Sequence, residues 1–244
     1  MKNLIVILSL VLFIQCQPTP EKLTAQQIVD KAITTACNGL CDAAKISFNF
    51  RGKVYKSSRK NGAYSLTRVS VDSFNIIKDE VTNNGLKRTI NNTVVKVPDS
   101  LIIPISDGVN SVHYFAQLPY GLNDAAVKKQ LVGEGVVKNE PYYKVAVSFT
   151  EEGGGTDFDD AFMYWIHKEN FTVDYLAYSY ATNGGGIRFR EAYNARMVGN
   201  IRFVDYNNYK PATLDIPLKD LDSLFEDGTL SLLSKIELEK IAVN

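Results

Sequence analysis

The chain has 244 residues with 27 basic and 27 acidic side chains, so it carries no net charge, and its lysines and arginines are scattered rather than striped; this excludes nucleic acid as a partner. Two histidines and three cysteines are too few to complete a metal site, and neither a metal nor another cofactor is expected. The length suffices for one large β domain with a sizeable core, and after residue 23 no proline-rich or charged linker divides it.

Met1 and Lys2 precede an apolar run from Leu4 to Ile14, too short to span a bilayer as a helix and of the length of a signal-peptide core. The run ends Leu12-Phe13-Ile14-Gln15-Cys16 and passes into the polar stretch Gln17 to Lys22. This order resembles a bacterial lipoprotein signal, with Gln15 where a small residue is usual and Phe13 where leucine is commoner. An ordinary secretory peptide with an incidental cysteine is the alternative. The resemblance implies a signal peptide over residues 1–15, a lipidated Cys16 with its tether over 16–23, and an exported domain over 24–244. That domain would be anchored through Cys16 to a membrane, in the periplasm or at the outer membrane.

Thr24 with Gln27 three residues on predicts a capped helix that carries Ile28, Val29, Ala32, Ile33 and Ala36 on one face. Cys37 and Cys41 follow its end, and in an exported protein this pair is a candidate disulfide, with two free thiols as the alternative. Strands are predicted over Ile46 to Tyr55 and, past Asn61-Gly62, over Ala63 to Val69. Shorter runs at Val71 to Lys78, Leu86 to Asn91 and Thr93 to Val97 extend the meander. Between Pro98 and Glu134 the period changes. Asp107 is placed to cap a helix through Val109, Val112 and Phe115, and Asn123 to cap a second through Ala126, Val127 and Leu131. Strands at Leu131 to Lys138 and Tyr142 to Phe149 come next, and the acidic, glycine-rich segment from Glu151 to Asp160 reads as a loop.

Residues 158–209 hold half of the aromatic side chains in about a fifth of the length, and they read as four antiparallel strands. Phe162, Tyr164 and Ile166 alternate with Met163, Trp165 and His167, and in several of these strands both faces carry large side chains. One face should meet the core, and the other should be covered by helices or by a bound apolar ligand. A short helix around Leu218 to Phe225 and a last strand from Leu232 to Leu238 end the chain.

The wording VNSVHYFAQLPYGLND, YWIHK, VDYLAYSY, GGGIRFREAYNAR and IRFVDYNNYKP resembles a family of uncharacterised bacterial lipoproteins known only as a domain of unknown function. The element order resembles, more distantly, the lipoprotein carriers and receptors of the Lol type. That likeness implies a mainly β (α+β) fold: a single open antiparallel half-barrel with an N-terminal helix and a mid-chain helical lid over an apolar cavity. The function expected is binding or carriage of a lipid, acyl chain or other apolar or amphipathic small molecule.

The aromatic residues assigned to line such a cavity are Phe48, Phe50, Tyr64, Phe115, Tyr143, Trp165, Tyr175 and Phe189, each with ordinary core packing as its alternative. Arg188 and Arg190 share a face opposite Glu191, where two guanidinium groups could grip a carboxylate or phosphate head group. Pairing with Asp174 on the neighbouring strand, or covering aromatic rings with arginine stems, is the competing account. His113 and Glu191 are the weak catalytic candidates. With Arg188 and Arg190 they would form the polar set of an envelope hydrolase or lyase acting on a small or glycan substrate. A glycosidase-like pair drawn from Asp157, Asp159, Asp160 or Glu191 is singled out by no spacing. The remaining alternative is a structural or interaction lipoprotein with a filled core.

Overall fold

A computed structural model of the chain describes residues 22–152 and 158–244. The expected signal peptide over 1–15, Cys16 with most of its tether, and Asp157 lie outside the described residues.

The fold is mainly β, built as two antiparallel seven-stranded sheets. The first runs, in spatial order, β14 (Glu239–Val243), β1 (Lys45–Phe50), β2 (Lys53–Lys60), β3 (Ala63–Asp72), β4 (Asn75–Thr82), β5 (Gly85–Ile90) and β6 (Thr93–Val95). The second runs β13 (Ser231–Ile236), β12 (Ile201–Lys210), β11 (Gly186–Val198), β10 (Val173–Tyr180), β9 (Ala161–His167), β8 (Glu140–Phe149) and β7 (Val127–Val137). Only Glu237 and Leu238 separate β13 from β14, so the sheets meet along that seam. β6 and β7, at the two far ends, do not pair with each other, and the result is an open half-barrel rather than a closed one. The seam is tight at Gly199 in the β11–β12 turn. Its φ is +55°, and a Cβ added there would stand 2.6 Å from Cβ of Val243.

Two-residue turns set the register of the first sheet. Asn61 and Gly62 have φ of 51° and 80°, the doubly left-handed geometry whose twist matches the flanking strands. Arg51 and Gly52 do the same at 49° and 72°. The stretch Ile46 to Tyr55, expected as one strand, is therefore a hairpin of β1 and β2, because Gly52 lets the chain reverse within two residues.

Helix α1 (Ala25–Cys37) carries the expected capping box. The Gln27 backbone N–H donates to Thr24 Oγ1 at 3.2 Å, and the Thr24 N–H donates to Gln27 Oε1 at 2.8 Å. It buries Ile28, Val29, Ala32 and Ala36 against the second sheet and the sheet seam. At its end Cys37 and Cys41 are joined by a disulfide, both side chains buried.

The middle of the chain departs from expectation. A single helix α2 (Asp99–Ala116) replaces the one expected to start at Asp107. Pro104 falls in its second turn, where the only loss is a bond to the exposed Ser100 carbonyl, which water can satisfy. The second expected helix, from Asn123, is instead a short 3-10 turn (Tyr120–Asn123) followed by β7. Val127, Lys129 and Leu131 are partly covered while Lys128, Gln130 and Val132 are exposed. Period two thus prevails, and the segment pairs with β8 from Val127–Phe149 to Val137–Glu140. Helix α3 (Leu221–Glu226) follows a 3-10 turn over Leu218–Asp220.

Candidate functional site

The pleat of β9 to β12 sorts the aromatic stretch onto two faces. Towards α1 and α2 point Phe162, Tyr164 and Ile166 of β9, Leu176 and Tyr178 of β10, Ala192 of β11, and Val204 and Tyr206 of β12. Away from them point Met163, Trp165, Tyr175, Ala177, Ile187 and Phe189, which pack with Leu221, Leu230 and Phe225. That outer layer is a closed aromatic cluster: Trp165 meets Phe189 edge-on at 5.4 Å, and Phe225 of α3 lies 5.1 Å from Phe189 and 5.6 Å from Tyr175. An ion pair beside it joins Lys144 to Asp222 at 2.5 Å, beneath Gly135.

The inner face is not filled in the same way. Between it, the C-terminal half of α2, β13 and the β1–β2 turn lies a cavity of about 810 Å³. Phe50, Phe115, Phe149, Phe162, Val204 and Ile236 supply apolar wall, and Tyr178, Tyr206, Arg190, Asn208 and Ser234 supply polar atoms. Asp107 and Asp160 also reach the wall, and both are partnered. Burial pushes the Tyr206 hydroxyl up to about 12, against the opposing pull of Arg190 and Arg202.

Four residues at the end of α2, His113, Tyr114, Phe115 and the following Gln117, hold this helix across both sheets. His113 is 1% exposed; its Nε2 lies 3.1 Å from the Thr67 carbonyl, and its ring is edge-on to Phe48 at 5.7 Å and Tyr55 at 5.6 Å. Gln117 donates to Ser57 Oγ at 3.0 Å and accepts from Arg59 at 2.5 Å. On the other side the Tyr114 and Tyr164 hydroxyls are bonded at 2.7 Å, and Phe115 lies under the Arg190 guanidinium at 3.9 Å from the ring centroid. His113 and Gln117, at i and i+4, therefore face the first sheet, and Tyr114 and Phe115 between them face the second. Burial lowers the His113 pKa to about 4; the Thr67 bond opposes that shift and the Arg59 charge adds to it.

Of the residues selected from sequence, the structure brings Phe50, Phe115 and Arg190 to the cavity wall. Trp165, Tyr175 and Phe189 lie on the outer face, beneath α3. Phe48 is sealed between Tyr55 and His113. Tyr143 stacks on Phe171 at 6.4 Å, packed against the core beside α1, and Tyr64 is exposed on β3. Arg188 donates to the Tyr180 hydroxyl at 2.6 Å and to the Ile187 carbonyl at 2.9 Å, so it does not close on a common point with Arg190. Neither arginine bonds Asp174, whose carboxylate takes Arg202 at 3.0 Å.

The polar set of a hydrolase is not assembled. Glu191 is on the outer face, where it takes an ion pair from Lys138 and hydrogen bonds from Asn207 at 3.0 Å and Tyr209 at 3.2 Å. Burial raises its pKa, but these donors outweigh burial and hold it below the usual carboxylate range. His113 is enclosed on the opposite side of the sheet. Among the described residues no three His, Cys, Asp or Glu side chains are grouped to hold a metal ion. The cavity residues that sequence reasoning passed over are Phe149, Phe162, Tyr178, Tyr206 and Asn208. Their signal was parity: counted across the strand registers, Phe162, Tyr178 and Tyr206 share the face of Arg190.

No curated protein matches the chain. Among solved structures it is similar to a LolA superfamily protein from Nitrosomonas europaea, at 12% identity over 91% of this chain and 92% of that one, with a TM-score of 0.49. It is also similar to a DUF1329 family protein from Desulfovibrio piger, at 12% identity over 89% and 92%, with a TM-score of 0.44. A third is the lipoprotein LppX of Mycobacterium tuberculosis, at 10% identity over 65% and 89%, with a TM-score of 0.29. The model of a family of unknown function, DUF6503, matches residues 2–238, and the chain belongs to that family.

Proposed function

We propose that this is an exported, lipid-anchored binding protein that holds an apolar or amphipathic molecule of the lipid or acyl-chain class beneath α2. The observation that carries the proposal is the contrast between the two faces of one set of strands. The outer face is filled by its own helix, whereas the inner face keeps a cavity of about 810 Å³ walled by aromatic and aliphatic side chains. That volume falls within the ~300–1,000 Å³ range of small-molecule sites. At ~25 cal/mol per Å² of apolar surface withdrawn from water, such walls hold an acyl chain without catalytic groups. Cys16 and the tether over 16–23 would keep the domain over 24–244 at the envelope membrane.

The test is native mass spectrometry of residues 17–244 purified from a bacterial host, with organic extraction of whatever travels with the protein. A stoichiometric lipid mass is the expected result. A bare polypeptide that stays bare after incubation with lipids would refute the proposal and leave a filled-core interaction protein in its place.

A further inference from the structure

We propose that the ligand carries a carboxylate head group recognised by Arg190, making it a single-chain carboxylate amphiphile; this deepens the proposed binding function and rests on it. The inner face of the second sheet contains a cross-strand row set by register: Val145, Tyr164, Leu176, Arg190, Asn208 and Ser234. The row is apolar or internally bonded as far as Leu176 and polar from Arg190 onwards, and Arg190, Asn208 and Ser234 all line the cavity.

Arg190 is 7% exposed and has no carboxylate partner among the described residues. Its guanidinium lies over the rings of Phe115, Tyr178 and Tyr206 and donates from Nη2 to the Tyr178 hydroxyl at 2.7 Å, while Nε has no partner. A guanidinium keeps its charge throughout the physiological range, and a buried one without an anion is costly. Ring faces compensate part of that cost, but apart from the Tyr178 bond they leave in-plane N–H donors without an acceptor, and such donors match a planar carboxylate.

The neighbouring groups complete a receptor for one singly charged head. Tyr178, accepting from Arg190, keeps its hydroxyl hydrogen to donate. Asn208, the direct register partner of Arg190, donates to Ser234 Oγ at 3.2 Å and leaves Oδ1 buried without a partner. Turned over, its amide accepts from the serine hydroxyl and puts Nδ2, a further donor, at the enclosed position where Oδ1 finds no partner. The two acids on the wall stand at the far end. Asp160 lies four residues along the strands from the Arg190 row, ~13 Å at 3.3 Å per residue. Asp107 lies eight residues before Phe115 on α2, ~12 Å at 1.5 Å per residue.

The experiment compares the affinity of the intact domain, residues 17–244 stripped of lipid, for hexadecanoate, hexadecan-1-ol and hexadecyl phosphate below their micellar concentrations. Hexadecanoate is expected to bind at least about tenfold tighter than the alcohol, the factor that one charge-assisted hydrogen bond supplies. Equal binding of acid and alcohol would overturn the head-group assignment and leave the cavity proposal standing. Preference for the phosphate would overturn the carboxylate class. Binding of none of the three would overturn both proposals. Arg190→Met, close in length and uncharged, is expected to lose the acid preference, keep alcohol binding within about threefold, and unfold at no lower temperature than the parent without ligand. A lower midpoint together with an unchanged acid preference would mark Arg190 as a packing residue and refute its role. Should the methionine variant fail to fold, Arg190→Lys and the three-ligand series on the parent protein decide the same question.

Discussion

His113 gives a pH dependence whose sign and size follow from its surroundings. The imidazole is enclosed by Phe48, Tyr55 and the Thr67 carbonyl, and burial depresses its pKa from 6.5 to about 4. Above pH 6.5 the ring is neutral in both folded and unfolded chains, and the contribution of this site to stability is fully present. As pH falls through 6.5 the unfolded chain takes up a proton that the folded chain refuses, so stability declines until the folded ring also titrates near pH 4. At ~1.4 kcal/mol per unit the loss is about 2 kcal/mol at pH 5 and about 3 kcal/mol by pH 4. The variant His113→Gln keeps a donor for the Thr67 carbonyl and removes the titration. Urea unfolding of parent and variant between pH 4.5 and 7.5 isolates this site, because every carboxylate cancels in the difference. The parent should lose about 2.5 kcal/mol relative to the variant across that interval. Parallel stability curves would refute the account.

Trp165→Ala is expected to lower unfolding free energy by about 3–5 kcal/mol while leaving the ligand mass per folded molecule unchanged, since Trp165 sits in the outer aromatic cluster. Leu233→Trp should do the opposite: residue 233 is 47% exposed at the cavity wall on an edge strand, so stability should move by no more than about 0.5 kcal/mol while retained ligand falls sharply in the native mass spectrum. Gly199→Ala combines a left-handed φ with a 2.6 Å approach to Val243, and a cost of about 2 kcal/mol or more is expected in urea unfolding. A change below about 0.5 kcal/mol would mean that the β13–β14 seam gives way freely.

Much of this architecture was legible because its signals are local. The Thr24–Gln27 cap, the Asn61-Gly62 turn and the four alternating strands of the aromatic stretch each need only a few neighbouring residues to declare themselves. What the sequence did not disclose depends on contacts far along the chain. Both faces of β9 to β11 carry rings, so hydrophobicity could not say which parity looks inward, and Trp165, Tyr175 and Phe189 fell on the outer side. The decision belongs to α3, some sixty residues beyond Trp165, whose Phe225 closes the outer cluster. The start of α2 was hidden by Pro104, which reads as a helix breaker until the exposed Ser100 carbonyl is seen to lose little. The start of β7, Val127 to Leu131, was mistaken for a helix because Ala126, Val127 and Leu131 fit a helical stripe, and only its partner β8 decides between the two periods. In the cavity itself, Arg190 was visible as a basic residue among aromatics, but its lack of an acidic partner among the described residues is a fact of three dimensions.

The unequal treatment of the two faces of β9 to β12 separates rigidity from selectivity within one set of strands. The outer layer, with its interlocked rings and the Lys144–Asp222 pair, holds the strands in place whatever occupies the other side. Side chains such as Phe115, Phe162 and Tyr178 are thereby relieved of much of the structural duty. Redesign toward a bulkier or differently charged guest would begin at these inward positions, with the outer layer kept as an unaltered chassis.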